Sequence, residues 1–327
     1  PVGTIVAFDP NIVHRGSRPV RGRWRDIALF MVARSKSDVP SASSVPGLPI
    51  TKPAARYTPS DMLQHDTVTL VHGLKMPRLG FSSAIRSASG SDNAVGSGKE
   101  AEHLQLALKM GFRLIETSVV HSNEAILAQA VAQSGVSREQ LFIVSKAWPF
   151  VNSSSTDHIW HVPTTAPHEL LAEVDRHISK LKTSYIDLLL LHWPSGPLVD
   201  HWRALTQLLA DGRVHAIGLS FANTKHLQQL SDAGLRLPAV LQTELLPVAE
   251  DPRIEELVEY CRARNIVLMG LALRDVMDPV RGPLMWRLAR TRNVTVPQLM
   301  LRYGLQRGFV QLLDSSRDHL TEEVMSS

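Results

Sequence analysis

The segment 185-YIDLLLLHWP-194 contains an unbroken run of apolar residues that ends in a histidine and a tryptophan. A strand with one face in water alternates apolar and polar residues, whereas this run is apolar on both faces. The whole segment 185–194 is about half as long as the roughly 20 residues that a membrane-spanning helix needs. We therefore predict a strand that is covered by helices on one side and by a packed barrel interior on the other.

Short apolar runs of this kind recur from about residue 79 and alternate with amphipathic helical stretches, which predicts a parallel sheet wrapped by helices. The predicted strands are 79–83, 112–116, 141–146, 185–191, 214–219, 239–244, 266–271 and 309–313. The predicted helices are 99–110, 123–134, 167–181, 200–211, 224–233, 252–264 and 295–307. Repeated β/α units of this number predict an α/β fold of the (β/α)₈ TIM-barrel type. An open doubly wound sheet is the alternative, and it is disfavoured because no G-x-G-x-x-G sequence follows the first strand.

Composition excludes several classes of protein. The 327 residues are 44% hydrophobic, and the net charge of +4 comes from 35 basic and 31 acidic residues spread along the chain. We therefore expect no nucleic-acid partner, and no membrane partner because no apolar run of about 18 residues is present. Cys261 is the single cysteine, which excludes an intrachain disulfide and favours a reducing, cytoplasmic location. The cysteine pairs that often bind a metal are absent as well, so we predict no metal site.

Composition also divides the chain into three zones, at residues 1–35, 36–66 and 67–327. The first zone is rich in β-forming residues, and the last one contains the alternation of strands and helices. The middle zone is rich in serine, proline and alanine, and too little of it is apolar to pack. We interpret it as a linker between a short β-rich fragment and a barrel.

Candidate catalytic residues are found where the predicted strands end, because a (β/α)₈ barrel has its active site at the carboxyl ends of its strands. A single lysine there is more often a surface residue, and a single histidine beside a tryptophan is more often packed. Several ionisable residues at successive strand ends favour one catalytic site instead. The polar residues at these positions are Glu116, His121, Lys146, His192, Ser220 and Gln242.

Across residues 67–327 the segments around these strand ends resemble the signatures of the aldo-keto reductase family, and they follow in the family's order. The matching segments are 69-TLVHGLKMPRLGFSS-83, 111-GFRLIETSVVHSNE-124, 135-GVSREQLFIVSKAW-148, 185-YIDLLLLHWP-194, 211-DGRVHAIGLS-220, 238-PAVLQTELLP-247 and 302-RYGLQRGFVQLLDSS-316. The resemblance implies a small carbonyl substrate, an aldehyde or ketone, that is reduced by hydride transfer from NADPH.

The family uses a tetrad of Asp, Tyr, Lys and His, in which tyrosine protonates the developing alkoxide and a lysine–aspartate pair eases the proton's release. The histidine orients the carbonyl. Lys146 and His192 match this pattern, whereas Glu116 stands at the aspartate position and His121 at the tyrosine position. Glu116 is the milder change, because a carboxylate one methylene longer can still reach Lys146. His121 is the larger change, because imidazole is shorter than phenol and a neighbouring ammonium disfavours the imidazolium form.

The resemblance also implies residues that bind the cofactor and the substrate. Ser220 and Gln242 match the family's carboxamide-binding serine and glutamine. Trp148 and Trp193 fall where the family lines its substrate pocket with aromatic residues, although either could instead be ordinary packing.

Three further positions depart from the family pattern and bear on the cofactor. Phe221 replaces an asparagine, Leu271 replaces the tyrosine that stacks on the nicotinamide, and Asp314 replaces a phosphate-facing lysine. Ser315 and Ser316 remain as hydrogen-bond donors to the cofactor's phosphate. We therefore expect NADP or NAD as the cofactor, with the preference for NADPH weakened by Asp314.

Two functional hypotheses follow from this mixture of matches and departures. One is an NAD(P)H-dependent carbonyl reductase with a non-standard tetrad. The other is a catalytically impaired barrel that serves as a cofactor-sensing or scaffold module. Because the sequence stops at Ser327, soon after the last barrel helix begins, we expect the C-terminal loop that sets specificity in this family to be missing.

The segment 1–35 resembles the C-terminal end of a phytanoyl-CoA-dioxygenase-like domain, an iron(II) and 2-oxoglutarate enzyme. His14 matches the family's iron-binding histidine and Arg25 matches the arginine that clamps the 2-oxoglutarate carboxylate. The segment has no H-x-D pair for the other two iron ligands, so we expect it to be the remnant of an upstream dioxygenase domain in the same polypeptide. A solvated hairpin face is the alternative explanation for its arginines.

Overall fold

In a computed structural model of the chain, the structure describes residues 66–83, 99–118, 123–149, 166–194, 196–245, 252–270, 283–292 and 294–314. The strands are β1 Thr67–Thr69, β2 Lys75–Pro77, β3 Leu79–Ser82, β4 Leu114–Glu116, β5 Phe142–Ala147, β6 Ile186–Leu191, β7 Val214–Ser220, β8 Val240–Thr243, β9 Val267–Gly270 and β10 Val310–Asp314. The helices are α1 Lys99–Lys109, α2 Glu124–Ser134, α3 Pro167–Lys180, α4 Leu198–Ala210, α5 Thr224–Asp232, α6 Pro252–Ala263, α7 Pro283–Arg292 and α8 Val296–Gln306, with 3₁₀ turns at Val71–Gly73 and Arg138–Gln140. The segment 1–35 and nearly all of the predicted linker lie outside the described residues.

Strands β3 to β10 form a closed barrel of parallel strands in the order β10-β3-β4-β5-β6-β7-β8-β9. The predicted (β/α)₈ barrel is therefore confirmed, and the open doubly wound sheet is excluded because β10 pairs with β3 and closes the sheet. Each barrel strand and each predicted helix lies within two residues of its predicted bounds. Helix α7 was not among the predicted helices.

The apolar residues of the barrel strands form two separate layers, because successive side chains of a strand point to opposite faces. In β6, Leu188 and Leu190 belong to the core inside the barrel. Leu189 and Leu191 belong to the larger core between the barrel and its helices. This double coverage is the physical reason why four leucines follow one another in β6, from Leu188 to Leu191.

Two glycines show where the backbone leaves no room for a side chain or needs an unusual conformation. A Cβ on Gly218 in β7 would collide with the carbonyl oxygen of Val240 and with the side chain of Leu190. Gly212, two residues after the end of α4, has a φ of +73°, which is favourable only for glycine and a few polar residues. This turn leads directly into β7, as the sequence predicted.

The antiparallel hairpin β1–β2 precedes the barrel and covers one of its ends. Leu70 and Met76 of the hairpin pack into the core inside the barrel, next to residues such as Leu114 and Phe142. A ligand must therefore enter from the opposite end, where the strands have their carboxyl termini. No helix among the described residues combines the length and the apolar character needed to cross a membrane.

Candidate active site

The alternation of side chains along the strands places polar residues at the carboxyl end of the barrel interior. Phe142 and Val144 of β5 belong to the interior core, so Lys146, two residues further on, also enters the interior. In β4, Leu114 belongs to the interior core, so Glu116, two residues further on, enters the interior as well. The sequence pattern alone thus brings a lysine and a glutamate from neighbouring strands to one layer.

Strands β3, β7 and β8 contribute to the same polar layer. Val240 lies in the interior core, and Gln242 follows it by two residues in β8. Ser220 ends β7 and is the direct register partner of Gln242. Ser82 ends β3 and is the register partner of Glu116. All of these polar side chains are buried.

Glu116 is the centre of a hydrogen-bonded group within this layer. Its Oε1 lies 3.0 Å from Nζ of Lys146 and also accepts a hydrogen bond from Nε2 of Gln242. Its Oε2 accepts a hydrogen bond of 2.8 Å from the hydroxyl of Ser82. The Ser220 hydroxyl in turn donates to Oε1 of Gln242 over 3.1 Å. The group therefore links residues from five barrel strands.

These contacts decide the charge of Glu116. Burial by itself would raise the pKa of its carboxyl group, but the ammonium of Lys146 and the donated hydrogen bonds outweigh that effect. The pKa of Glu116 is therefore held below its ordinary value. Glu116 is ionised at neutral pH and neutralises the buried ammonium of Lys146.

A second set of hydrogen bonds fixes the chain directly after β4. The Ser83 hydroxyl donates to the backbone carbonyl of Glu116 over 2.8 Å. The side-chain amide of Asn123 donates to the backbone carbonyl of Ser83 over 2.8 Å, and Oγ1 of Thr117 donates to Oδ1 of Asn123 over 2.6 Å. Asn123 directly precedes α2, so this network connects the end of β4 to that helix and holds Glu116 in place.

Aromatic rings form a wall after β5, β6 and β7. The ring of His192 lies edge-on against Trp148, with centroids 5.1 Å apart. His192 also stacks with Phe221, with centroids 6.5 Å apart, and Phe221 itself stacks at 4.7 Å on Trp193. His192 and the two tryptophans are half-buried, so the wall faces both protein and solvent. It is suited to hold a small, partly apolar molecule.

Phe221 adopts a left-handed backbone conformation, with a φ of +56°. This conformation is uncommon for residues other than glycine and is several-fold enriched for asparagine. The backbone N–H of Phe221 donates to the carbonyl of Gln242 over 2.8 Å, which fixes the conformation whatever the side chain. The sequence therefore places an aromatic ring where the backbone geometry favours an asparagine, the residue that the family resemblance implies at this position.

A further group of buried titratable residues lies outside the barrel, between α2 and α3. Nε2 of His177 lies 3.8 Å from Glu124 and 3.9 Å from Glu173. Burial lowers the pKa of His177 to about 4, with smaller contributions from Lys180 and Arg176. We call Glu124, Glu173 and His177 the interhelical cluster.

The two glutamates of the interhelical cluster respond to burial in the opposite direction from the histidine. Burial raises the pKa of Glu173 to about 7, although Arg176 opposes this and a backbone hydrogen bond from Trp148 lowers it slightly. Burial also raises the pKa of Glu124. All three pKa shifts thus favour the uncharged form of the side chain.

The structure brings together most of the residues that the sequence predicted for the site. Glu116, Lys146, Ser220 and Gln242 form one connected group, and His192 lies in the aromatic wall. Trp148 and Trp193 belong to the same wall. Four predicted positions lie outside the described residues, namely His121, Leu271, Ser315 and Ser316. Asp314 ends β10, and only its backbone is described.

Ser82 is a member of the group that the sequence analysis missed. It ends the first barrel strand, so the rule that identified the other strand-end residues could have identified it too. The interhelical cluster was also missed, because two helices must pack before its members meet.

Comparison with known proteins agrees with this geometry. The sequence model of the Aldo/keto reductase family matches residues 86–273. Glyoxal reductase of Bacillus subtilis is 32% identical over 257 residues, which are 78% of this chain and 84% of that protein. An aldo-keto reductase enzyme from a deep-sea metagenome library is similar in structure, with a TM-score of 0.63, 26% identity and coverage of 79% of this chain and 87% of that one.

A silkworm (Bombyx mori) aldo-keto reductase, solved in a complex with NADPH, has the same fold, with a TM-score of 0.66 and 24% identity. The match covers 80% of this chain and 82% of the silkworm chain. The family model covers more than half of the chain, and the Bacillus subtilis relative is matched over most of both proteins. This chain belongs to the aldo/keto reductase family.

Proposed function

We propose that this protein is an NAD(P)H-dependent oxidoreductase that reduces a small aldehyde or ketone at the carboxyl end of its barrel. The observation that carries the proposal is the buried pair of Lys146 and Glu116, whose charged atoms are 3.0 Å apart. A fixed ammonium in a site of low dielectric constant stabilises negative charge that develops on a nearby oxygen. Carbonyl reduction creates such a charge.

In this proposal each member of the altered tetrad has a separate role. The cofactor, when bound, supplies a hydride to the carbonyl carbon, so that the electron pair of the C=O bond moves to the oxygen. Lys146 stabilises the charge on that oxygen, His192 orients the carbonyl, and His121 donates the proton that completes the alcohol. The role of His121 rests on its sequence position alone.

The polar layer suits a nicotinamide cofactor by its chemistry. Ser220 and Gln242 stand at the positions that the family resemblance assigns to the nicotinamide ring, and they make this part of the barrel polar. Glu116 holds the amide of Gln242 in the described structure. For the phosphate groups we assign Ser315 and Ser316 from the sequence. Asp314, at the end of β10, carries a negative charge that would repel the 2′-phosphate of NADPH. We therefore propose that NADH is accepted as well as NADPH.

The substrate would lie against the aromatic wall. Trp148 contacts His192, and Trp193 stacks on Phe221. The two tryptophans offer flat apolar surfaces, which favour a small carbonyl compound over a large polar one. Because the Bacillus subtilis relative is a glyoxal reductase, glyoxal is the first carbonyl compound to test.

Cofactor binding and turnover test the proposal in two stages. Titration with NADPH and NADH, followed by the fluorescence of the reduced nicotinamide, should give saturable binding of both. Addition of glyoxal should then oxidise the bound cofactor. Saturable binding without turnover of any aldehyde or ketone would favour the cofactor-sensing alternative, and no binding of either cofactor would contradict both functions.

Two lysine variants connect the activity to the proposed site. Lys146→Met should lower kcat/KM by roughly 10²-fold or more, because it removes a charge that acts mainly in the transition state. Lys225→Met is the matched control, since Lys225 is exposed on α5, outside the barrel interior that contains Lys146. Equal activity of the two variants would contradict the role of Lys146.

We further propose a cytoplasmic location, because the single cysteine suits a reducing compartment and burial raises the pKa of the Cys261 thiol to about 12. For residues 1–35 we propose a dioxygenase-like origin, which rests on the spacing of His14 and Arg25 in the sequence. An H-x-D motif in the coding sequence upstream of Pro1 would support that origin, and its absence there would contradict it.

A further inference from the structure

The contact between Glu116 and Gln242 fixes the orientation of the Gln242 amide. An ionised carboxylate can only accept hydrogen bonds, so the amide group that touches Glu116 must be the NH₂ donor. The amide oxygen consequently faces Ser220, whose hydroxyl donates to it over 3.1 Å. Both ends of the Gln242 side chain are thus bonded within the protein.

Burial supports the same view of these two residues. Ser220 and Gln242 both have an exposed fraction of 0%. A ligand that sought a hydrogen bond from this amide would first have to break a bond that Gln242 already makes. The bond to Glu116 is the stronger of the two, because its acceptor is charged.

The length of the Glu116 side chain makes this contact specific to a glutamate. An aspartate at the same position would withdraw the carboxylate by about 1.5 Å, the length of one carbon–carbon bond. The long and flexible side chain of Lys146 could follow a withdrawn carboxylate. Gln242 has a shorter side chain whose other end is held by Ser220, so it would lose its contact first.

We propose that Glu116 sequesters Gln242, so that the native protein binds the nicotinamide ring without recognising its carboxamide through that residue. The proposal rests on the proposed function, since it concerns how a nicotinamide cofactor is recognised. Glu116 is then a residue that sets cofactor specificity through Gln242, in addition to its pairing with Lys146. A consequence is tolerance of cofactors that carry another group in place of the carboxamide.

The test compares NADPH with reduced thionicotinamide adenine dinucleotide phosphate, in which sulfur, a weaker hydrogen-bond acceptor, replaces the amide oxygen to which a freed Gln242 NH₂ group would donate. Dissociation constants for both are measured by fluorescence titration, and their ratio cancels the contribution of the shared adenine and phosphate groups. For the native protein we expect a ratio within about twofold of one. For Glu116→Asp we expect NADPH to bind tighter than the analogue by roughly 2- to 10-fold, the value of one regained hydrogen bond.

Ser82→Ala is the matched control, because it removes a different hydrogen bond to the same carboxylate. Its ratio should remain near one. A native ratio of about 10 or more in favour of NADPH would overturn the proposal, and this measurement needs no variant. A folded Glu116→Asp protein with a ratio still near one would overturn it as well. If neither cofactor binds to any of these proteins, the proposed function itself fails, and the inference fails with it.

Discussion

The Glu116–Lys146 pair and the interhelical cluster both place buried carboxyl groups beside a basic residue. At the carboxyl end of the barrel, Glu116 lies 3.0 Å from Lys146. In the interhelical cluster between α2 and α3, His177 lies 3.8 Å from Glu124 and 3.9 Å from Glu173. The two groups are buried to a similar degree, but their carboxyl groups have pKa values shifted in opposite directions.

The adjacent ammonium of Lys146, followed by hydrogen bonding, accounts for the difference. The carboxylate of Glu116 accepts hydrogen bonds from Ser82 and Gln242 in addition to its contact with Lys146. Glu124 has instead the His177 side chain at 3.8 Å, and the hydrogen bond from its own backbone N–H does not outweigh the effect of burial. The pKa of Glu116 is accordingly lowered, whereas burial raises that of Glu124. At Glu116 the cation and the donors outweigh burial, whereas at Glu124 burial dominates and favours the protonated form.

The largest expected effect comes from Lys146→Met, which removes the cation from the first group. Glu116 would then be a buried charge without its counter-ion, and we expect a loss of about 3–5 kcal/mol in the free energy of unfolding at pH near 8. The loss should become smaller toward acidic pH, because the pKa of Glu116 rises once the ammonium is gone and the carboxyl group can take up a proton. Unfolding in urea at several pH values measures both effects.

Two further variants serve as controls for the loss of stability in Lys146→Met. The double variant Lys146→Met/Glu116→Gln should recover part of the lost stability, because no unpaired charge remains. Lys225→Met should change the free energy of unfolding by less than about 0.5 kcal/mol, as is usual for an exposed residue. A loss in Lys146→Met that is independent of pH would mean that Glu116 is not the charge that Lys146 neutralises.

The next effect concerns the pH dependence of stability in the interhelical cluster. The pKa of His177 is lowered from 6.5 to about 4, so the stability that it contributes is present above pH 6.5 and is lost as the pH falls toward 4. The pKa of Glu173 is raised from 4.5 to about 7, so its contribution is present below pH 4.5 and is lost as the pH rises toward 7. The two contributions oppose each other in the native protein.

Single substitutions should separate the two contributions. Glu173→Gln leaves the histidine, and stability should fall by about 2 kcal/mol as the pH is lowered through this range. His177→Gln leaves the glutamate, and stability should fall by a similar amount as the pH is raised. Glu259→Gln, which changes an exposed glutamate on α6, serves as the control. Slopes of the same sign in the first two variants would contradict the opposite pKa shifts.

The polar group at the carboxyl end of the barrel could be predicted from the sequence, because it depends on the periodicity within single strands. A period of two along a strand and the known position of barrel active sites suffice to place Glu116, Lys146, Ser220 and Gln242 at one end. The strand bounds followed from short apolar runs, such as the one in β6, whose two faces are both covered. The sequence also indicated that Glu116 could reach Lys146, and the structure shows this contact.

The second group could not be found in this way, because its members meet only when α2 and α3 pack. Helical periodicity places His177 on the buried face of α3, but it does not say which residue of another helix faces it. The hydrogen bond from Gln242 to Glu116 could not be predicted from the sequence either. It depends on the one additional methylene group of glutamate and on the distance between two strands. Helix α7 was missed because 283-PLMWRLARTR-292 mixes apolar and basic residues without a clear helical period.

The smallest expected effect is that of Glu124→Gln, and the same replacement at Glu116 is the comparison that sets the two groups against each other most directly. At Glu116 this change leaves Lys146 as an unpaired buried cation, and stability should fall at pH near 8. At Glu124 it removes a carboxyl group whose pKa is raised, and whose contribution to stability is lost as the pH rises above its unfolded value of 4.5. Glu124→Gln should therefore stabilise the protein by about 1 kcal/mol at pH near 8 and by less at pH near 4.5, because the raised pKa of Glu124 favours the protonated carboxyl group there. Urea unfolding of both variants at these two pH values measures the difference. A loss of stability in Glu124→Gln at pH near 8 as large as that in Glu116→Gln would mean that Glu124 is also held as a charged group.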